Sequence, residues 1–250
     1  MDKHCIGIIG GLGPYAGLDL VRKIFDNTQA IHDQDHLRVM LHSFPSDIPV
    51  RPEFLLGKTK ENPGFAIGKI MLGLVEAGAD VLAMPCNTAH SPAILDVALQ
   101  SIAHKNVSFV HIISSAVDEV CRISTPASRI GLLATVATLT TELYQKALLA
   151  AKRIPVVLDP EDCQKVQDAI SNDTYGIKAH SNPVTATVKN ILEAAAEKLA
   201  HKGIDVLLLG CTEIPLALTE KSYFGIPTID ATKTLARAVV KAIAPEKLKA

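Results

Sequence analysis

Asp80-Val81-Leu82-Ala83-Met84-Pro85-Cys86-Asn87-Thr88 and Asp205-Val206-Leu207-Leu208-Leu209-Gly210-Cys211-Thr212-Glu213 are the two stretches on which the reading of this chain turns. Each follows a glycine two positions before its Asp (Gly78, Gly203), runs through apolar residues and ends on a cysteine with polar neighbours. Gly78, Asp80, Val81, Leu82 and Cys86 each have an identical partner 125 residues later. A second pair opens the two halves, because Ile6-Gly7-Ile8-Ile9 resembles Ile130-Gly131-Leu132-Leu133. Gly7 lies 79 residues before Cys86 and Gly131 lies 80 before Cys211, so the spacing is shared along with the motifs. One short match arises by chance; two at near-equal spacing point to an internal duplication.

Outward from these motifs, short apolar runs alternate with amphipathic stretches. The runs are Cys5–Gly10, Leu37–Phe44, Val81–Met84, Val107–Ile112, Arg129–Ala134, Ile154–Leu158, Val206–Leu209 and Ile226–Ile229. They lack a clean polar face, as expected of parallel strands covered on both sides. Between them, Leu20/Val21/Ile24/Phe25, Ile70/Met71/Leu74/Val75 and Val188/Ile191/Leu192/Ala195/Leu199 have helical spacing. Ser91-Pro92 reads as a helix start, and Gly203 as the end of the helix before the second cysteine strand. Strict alternation predicts an α/β fold with right-handed crossovers. The expected architecture is two similar doubly wound parallel-sheet domains, residues 1–113 and 114–225, with 226–250 returning to the first as a strand and closing helix. Open sheets of this kind bind ligands beyond the carboxyl ends of their strands. Both cysteines therefore fall where an interdomain cleft would hold the active site.

A length of 250 residues suits one large domain or two of about 100–130 residues. The chain is 48% hydrophobic and 20% charged, with net charge −1 and pI near 6.7. That balance, without a basic stripe or tail, argues against a nucleic-acid or membrane-surface partner. The longest apolar runs fall well short of the ~20 residues of a membrane span. Met1-Asp2-Lys3-His4 leads at once into a strand and leaves no room for a signal peptide, so the expected location is the cytoplasm. Five cysteines with no close pair suit neither a disulfide framework nor a zinc knuckle. No pyridoxal-phosphate, metal, Walker or nucleophile-elbow motif stands out, and the expectation is no cofactor.

An isolated cysteine is more often a small core residue than a reactive one. The duplicated placement reverses that balance for Cys86 and Cys211, whose donor-rich surroundings favour thiolate. Two such thiols converging on one small molecule suit proton transfer at carbon. Cys5, Cys121 and Cys163 read as packing residues. The loop Gly10-Gly11-Leu12-Gly13-Pro14 formally meets the dinucleotide fingerprint, but Pro14 removes a donor and the second strand ends without an acid for a ribose. A loop that cradles a small carboxylate, Gly11 included, is the better reading. Arg51 lies in a Pro-rich loop, either clamping a carboxylate or solvated. Thr135 and Thr138 suit substrate contact or a helix cap. Lys178 suits a second cation or a surface lysine, and His90 a proton relay or a histidine satisfied by backbone.

Met84-Pro85-Cys86-Asn87-Thr88-Ala89-His90, together with Leu209-Gly210-Cys211-Thr212-Glu213-Ile214-Pro215, resembles the aspartate/glutamate racemase family. The opening Ile9-Gly10-Gly11-Leu12-Gly13-Pro14 is similar to its aspartate racemase branch, and the resemblance covers essentially the whole chain. Glutamate racemases usually carry His after the Thr of the second motif; here Glu213 stands there, which favours the aspartate branch. The resemblance implies an amino-acid racemase, working as a homodimer, with Cys86 and Cys211 as acid/base thiols. It further implies that Arg51 grips the side-chain carboxylate, that Asn87, Thr88, Ala89, Thr135 and Thr212 hold the amino-acid end, and that Lys178 contacts substrate. Val50, where the family often has Asp, and Ala137, where it often has Gly, bear on the distal specificity. Related scaffolds isomerise maleate or decarboxylate malonates. A silent amino-acid-binding protein is the reading from another class.

Overall fold

The computed structural model describes residues 4–250; Met1–Lys3, on which part of the leader expectation fell, lie outside the described residues. The chain divides into two compact units. In the first, β1 (Cys5–Gly10), α1 (Pro14–Asp26), β2 (Arg38–Ser43), α2 (Arg51–Leu55), α3 (Pro63–Glu76), β3 (Val81–Ala83), α4 (Pro92–Gln100) and β4 (Ser108–Val110) follow in order. Their sheet is parallel throughout, in the order β2-β1-β3-β4. After α5 (Ile112–Ile123), the second unit runs β5 (Arg129–Leu133), α6 (Val136–Thr140), α7 (Leu143–Ala150), β6 (Ile154–Val156), α8 (Pro160–Ser171), α9 (Ala186–His201), β7 (Val206–Leu209), β8 (Ser222–Tyr223) and β9 (Ile226–Asp230). Its order is β6-β5-β7-β9-β8, parallel except for β8. Without β8 the two sheets have the same order, strand for strand.

The repeated residues perform repeated tasks. Asp80 Oδ2 accepts from the Cys5 N–H, and Asp205 Oδ2 from the Arg129 N–H, both at 2.7 Å. Each carboxylate thus ties the first strand of its sheet to the strand that will carry the cysteine. Gly78 and Gly203 end the preceding helices with φ of +100° and +72°, a region that favours glycine. Gly7 and Gly131 have no room for a side chain. A Cβ on Gly7 would lie 2.8 Å from Ala79 Cβ and 3.2 Å from Leu74 Cβ. One on Gly131 would lie 2.6 Å from Ile204 Cδ1 and 3.4 Å from Leu199 Cβ. Ala79 and Ile204, like Leu74 and Leu199, are again 125 residues apart. The duplication is therefore one of packing, reaching from helix to central strand.

Each sheet lies under its own apolar core. In the first unit Leu74, Leu82, Met84 and Ile94 are fully buried, and in the second Val188, Leu192, Leu199 and Ile214. Asn62 caps α3 by accepting from the Gly64 N–H at 2.8 Å, and Thr185 caps α9 through the Val188 N–H at 3.3 Å. At α4, Ser91 contributes its carbonyl to the Ile94 and Leu95 N–H groups and no side-chain cap, while Pro92 takes the first helical position.

Three expectations shift. The fourth strand stops at Val110, and Ile112 already belongs to α5. The short β8 was not expected; it pairs antiparallel with β9 across Phe224-Gly225, both at positive φ, the geometry of a two-residue hairpin. Residues 226–230 do not return to the first unit. β9 pairs with β7 through Leu207↔Thr228 to Leu209↔Asp230, so its backbone bonds commit it to the second sheet. The first unit takes back only Thr232–Ala250, mostly α10 (Ala231–Ile243), which buries Leu235, Ala236, Val239 and Val240. Arg237 Nη1 donates to Asn27 Oδ1 at 3.2 Å, and the Lys249 N–H to the Asn27 carbonyl at 3.0 Å, joining this segment to the end of α1.

Candidate active site

In the first unit the chain leaves β3 through Met84-Pro85 and reaches Cys86, which is only 5% exposed. The Cys86 N–H donates to the Met84 carbonyl at 2.9 Å, folding the loop back on the strand end. Asn87 starts a tight turn over Thr88–His90, and Cys86 Sγ lies 3.3 Å from Thr88 Oγ1. Asn87, Thr88 and Ala89 are all buried; the Ala89 methyl belongs to the apolar core, so any contact it makes with a ligand is through its backbone.

His90 holds this turn. Its Nε2 accepts from the Ile112 N–H at 3.4 Å, so the proton of the neutral ring sits on Nδ1, which donates to the Cys86 carbonyl at 2.8 Å. Burial, then the neighbouring His111 ring at 4.5 Å, push its pKa down to about 3, against the pull of the Cys86 carbonyl. A histidine held neutral by two backbone partners cannot gain and lose protons near neutrality. Of its two readings, the one satisfied by backbone is realised.

Arg51 is the first residue of α2, 8% exposed, and not a solvated loop side chain. Its Nη2 donates to the Leu12 carbonyl at 2.9 Å, while Nε is buried without a hydrogen-bond partner. The guanidinium thereby braces the glycine loop, and α2 packs against the Thr88–His90 turn. Gly11 itself has φ +82°, and a Cβ there would lie 2.9 Å from Pro45 N and 3.0 Å from Phe44 C. A glycine is required because the backbone after β2 passes so closely.

The second unit repeats the placement with different partners. Cys211 follows Gly210 at the end of β7, 6% exposed. Its thiol donates to Glu213 Oε2 at 3.0 Å, and Thr212 Oγ1 lies 3.4 Å from the same oxygen. Burial first, then the Glu213 charge and its hydrogen bond, push the Cys211 thiol well above the ordinary range; the Glu213 backbone N–H and Lys178 act the other way. Lys178 is exposed, in the turn after α8, its N–H donating to the Ile170 carbonyl at 3.0 Å. Thr135 takes the capping role: its Oγ1 accepts from the Thr138 N–H at 3.2 Å and lies 2.9 Å from Thr138 Oγ1.

The roles of two residues near Cys211 escaped the sequence reading. Glu213 stood there as a mark of the branch and among the surroundings expected to favour thiolate, an expectation overturned at Cys211, where the carboxylate accepts from the thiol and, with burial, raises its pKa. Tyr144 on α7 is fully buried, and burial, then Cys211 and Asp230, raise its pKa. Nothing in the amphipathic pattern of α7 marks it. Cys163 packs against the second core, and its thiol donates to the Leu158 carbonyl at 3.4 Å. Cys5 and Cys121 are half-buried. Among the described residues, no group of three or more His, Cys, Asp and Glu side chains is placed to hold a metal ion.

Comparison with known proteins points the same way. Residues 9–239 match the family model described as Asp/Glu/Hydantoin racemase. The broad specificity amino-acid racemase RacX of Bacillus subtilis is 25% identical over 241 residues, covering 94% of this chain and 96% of RacX. The solved structure of Picrophilus torridus aspartate racemase aligns with TM-score 0.80 at 28% identity, covering 98% of this chain and 97% of that one. An aspartate racemase homologue from Pyrococcus horikoshii shares the fold, with TM-score 0.71 at 22% identity over 96% and 98% of the two chains. The match takes in both cysteine motifs, and the chain belongs to the Asp/Glu/hydantoin racemase family of isomerases.

Proposed function

We propose that the chain interconverts L- and D-aspartate without a cofactor, Cys86 and Cys211 being the two bases. The observation that carries this reading is the equivalent placement of the thiols: each stands just past the third strand of its unit, buried, with a polar partner within 3.3 Å. In the proposed reaction one thiolate takes the Cα hydrogen as a proton while the other thiol delivers a proton to the opposite face. Reversal exchanges the roles, so the titrations of the two sulfurs belong to the pair. The carbanion-like transition state needs fixed donors around the α-carboxylate. Asn87, Thr88 and Thr212, with the backbone of Ala89, are proposed for that end of the substrate. Arg51 is proposed for the side-chain carboxylate, with Lys178, Thr135 and the loop around Gly11 as further contacts. A buried guanidinium with a spare Nε–H, set in a short helix beside the Cys86 turn, supports an acidic side chain in the substrate.

Preference for aspartate is also supported by Glu213 in place of the His of glutamate racemases and by the likeness to the Picrophilus torridus enzyme. A cytoplasmic homodimer is the proposed working form. No helix among the described residues is long and apolar enough to cross a membrane. The test is a panel of single-enantiomer amino acids incubated in deuterated water with no added cofactor and followed by chiral separation and mass. Aspartate should racemise fastest, and its product should carry solvent deuterium at Cα. Retention of the substrate hydrogen through many turnovers excludes thiols that exchange with solvent. Turnover of maleate in place of aspartate identifies a cis-trans isomerase.

A further inference from the structure

The two sulfurs occupy matching places but face unlike partners. Cys86 meets a neutral hydroxyl, Thr88 Oγ1 at 3.3 Å. Cys211 meets a carboxylate, with its S–H directed at Glu213 Oε2 at 3.0 Å. Glu213 is 6% exposed, and its second oxygen, Oε1, is buried with no hydrogen-bond partner. The other titratable groups facing Cys211 are Lys178, from the turn after α8, and Tyr144, from α7, which itself faces Asp230. A buried carboxylate against a buried sulfur sets like charges together whenever the sulfur is ionised.

We propose that Glu213 holds Cys211 in its thiol form in the free enzyme, so that Cys86 acts first as the base and Cys211 first as the proton donor. The proposal rests on the two-thiol reading and adds a resting direction to it. In that direction the Cys86 thiolate forms an S–H bond with the Cα proton, and the C–H electron pair stays on carbon. The Cys211 S–H bond breaks, its proton joins the opposite face of Cα, and its electron pair stays on sulfur. That leaves two negative charges side by side, relieved when a solvent proton returns to Cys211 and the proton on Cys86 leaves. For the opposite direction Cys211 begins as thiolate once its proton has passed to Glu213 Oε2. One S–H bond is then exchanged for one O–H bond, and the charge moves from carboxylate to sulfur. Glu213 thus opposes ionisation of Cys211 and also stores the proton that ionisation releases.

The experiment is residue-resolved alkylation of the full-length chain with iodoacetamide across pH, read by peptide mass. The pH midpoint for each cysteine, and not the absolute rate, is compared. In the wild type, Cys86 should react with a lower midpoint than Cys211. Glu213→Gln should lower the Cys211 midpoint by about one pH unit or more, a roughly tenfold rise in thiolate at fixed pH, and leave that of Cys86 in place. Glu213→Asp, which keeps the charge, should keep the Cys211 midpoint high. A Cys211 midpoint at or below that of Cys86 in the wild type, or one that does not fall in Glu213→Gln, overturns the proposal. If Glu213→Gln does not fold, the wild-type order decides alone. No substrate enters these titrations. A chain that inverts no amino acid yet gives the expected midpoints loses the racemase reading and keeps the Glu213 pairing. A working racemase with the midpoints reversed loses the pairing alone.

Discussion

The Cys86 and Cys211 loops share their approach to the sulfur and diverge immediately beyond it. Up to the cysteine, the halves agree in helix end, Asp anchor, central glycine and strand register. Past it, the first half turns through Asn87-Thr88-Ala89-His90 and is locked by a neutral histidine. The second half turns through Thr212-Glu213 and sets a carboxylate on the sulfur. The difference teaches that duplication preserved the packing that delivers a thiol to a strand end, while the polar partner each thiol meets was left to two or three residues of loop. Equivalent backbone positions can therefore face unlike partners, a hydroxyl at Cys86 and a carboxylate at Cys211.

The largest effect that would break the equivalence comes from removing a sulfur. Cys86→Ser and Cys211→Ser should each lower aspartate racemisation by about 10²–10⁴-fold or more, the usual worth of a positioned proton-transfer group. Circular dichroism should remain unchanged, and one active single variant would mean that a single base suffices. Arg51→Ala comes next. With a charged donor lost, kcat/KM for aspartate should fall about 10–100-fold, and that for neutral amino acids far less. Equal losses would assign Arg51 to bracing the loop at Leu12 and nothing more.

A third difference sits in acid stability. Burial holds His90 neutral down to about pH 3, whereas its ordinary value is 6.5. Below 6.5 the unfolded chain takes up a proton that the folded chain refuses, so stability is full above that value and falls with pH toward 3. Between pH 7 and pH 5 this loss is about 2 kcal/mol. Urea unfolding of His90→Gln should show a correspondingly flatter acid limb; an unchanged slope would place the titration elsewhere. The smallest expected effect is Thr88→Val. One neutral partner of Cys86 is lost, and kcat should change by roughly 3–10-fold. An unchanged kcat would leave the Thr88 hydroxyl without a part in the reaction.

Much of the frame was legible in residue order. The eight expected strands are all present, within a residue or two at their ends, because buried parallel strands are short apolar runs between glycine and proline breaks. β8 was not legible: two residues carry no period, and Phe224 is an unusual choice for a left-handed turn. The assignment of 226–230 failed for another reason. A strand and the helix after it were expected to stay together, whereas β9 joins the second sheet and α10 the first unit. At the candidate site the cysteines were legible from their repetition, while Arg51 and His90 had even alternatives. What excluded a solvated Arg51 and set His90 on backbone partners was burial, together with partners 39 and 22 residues away in the chain.

Local pattern and internal likeness, properties carried along the chain itself, determined the α/β class, the duplication and the delivery of Cys86 and Cys211 to strand ends. Tertiary structure alone decided which sheet takes β9, that Arg51 is buried on the Leu12 carbonyl, that His90 keeps its proton on Nδ1 and that Glu213 turns its carboxylate onto Cys211. The physical reason is range. Periodicity and turn chemistry act over a few residues, whereas hydrogen bonding and desolvation depend on distances of about 3 Å between groups whose proximity exists only once the chain has packed.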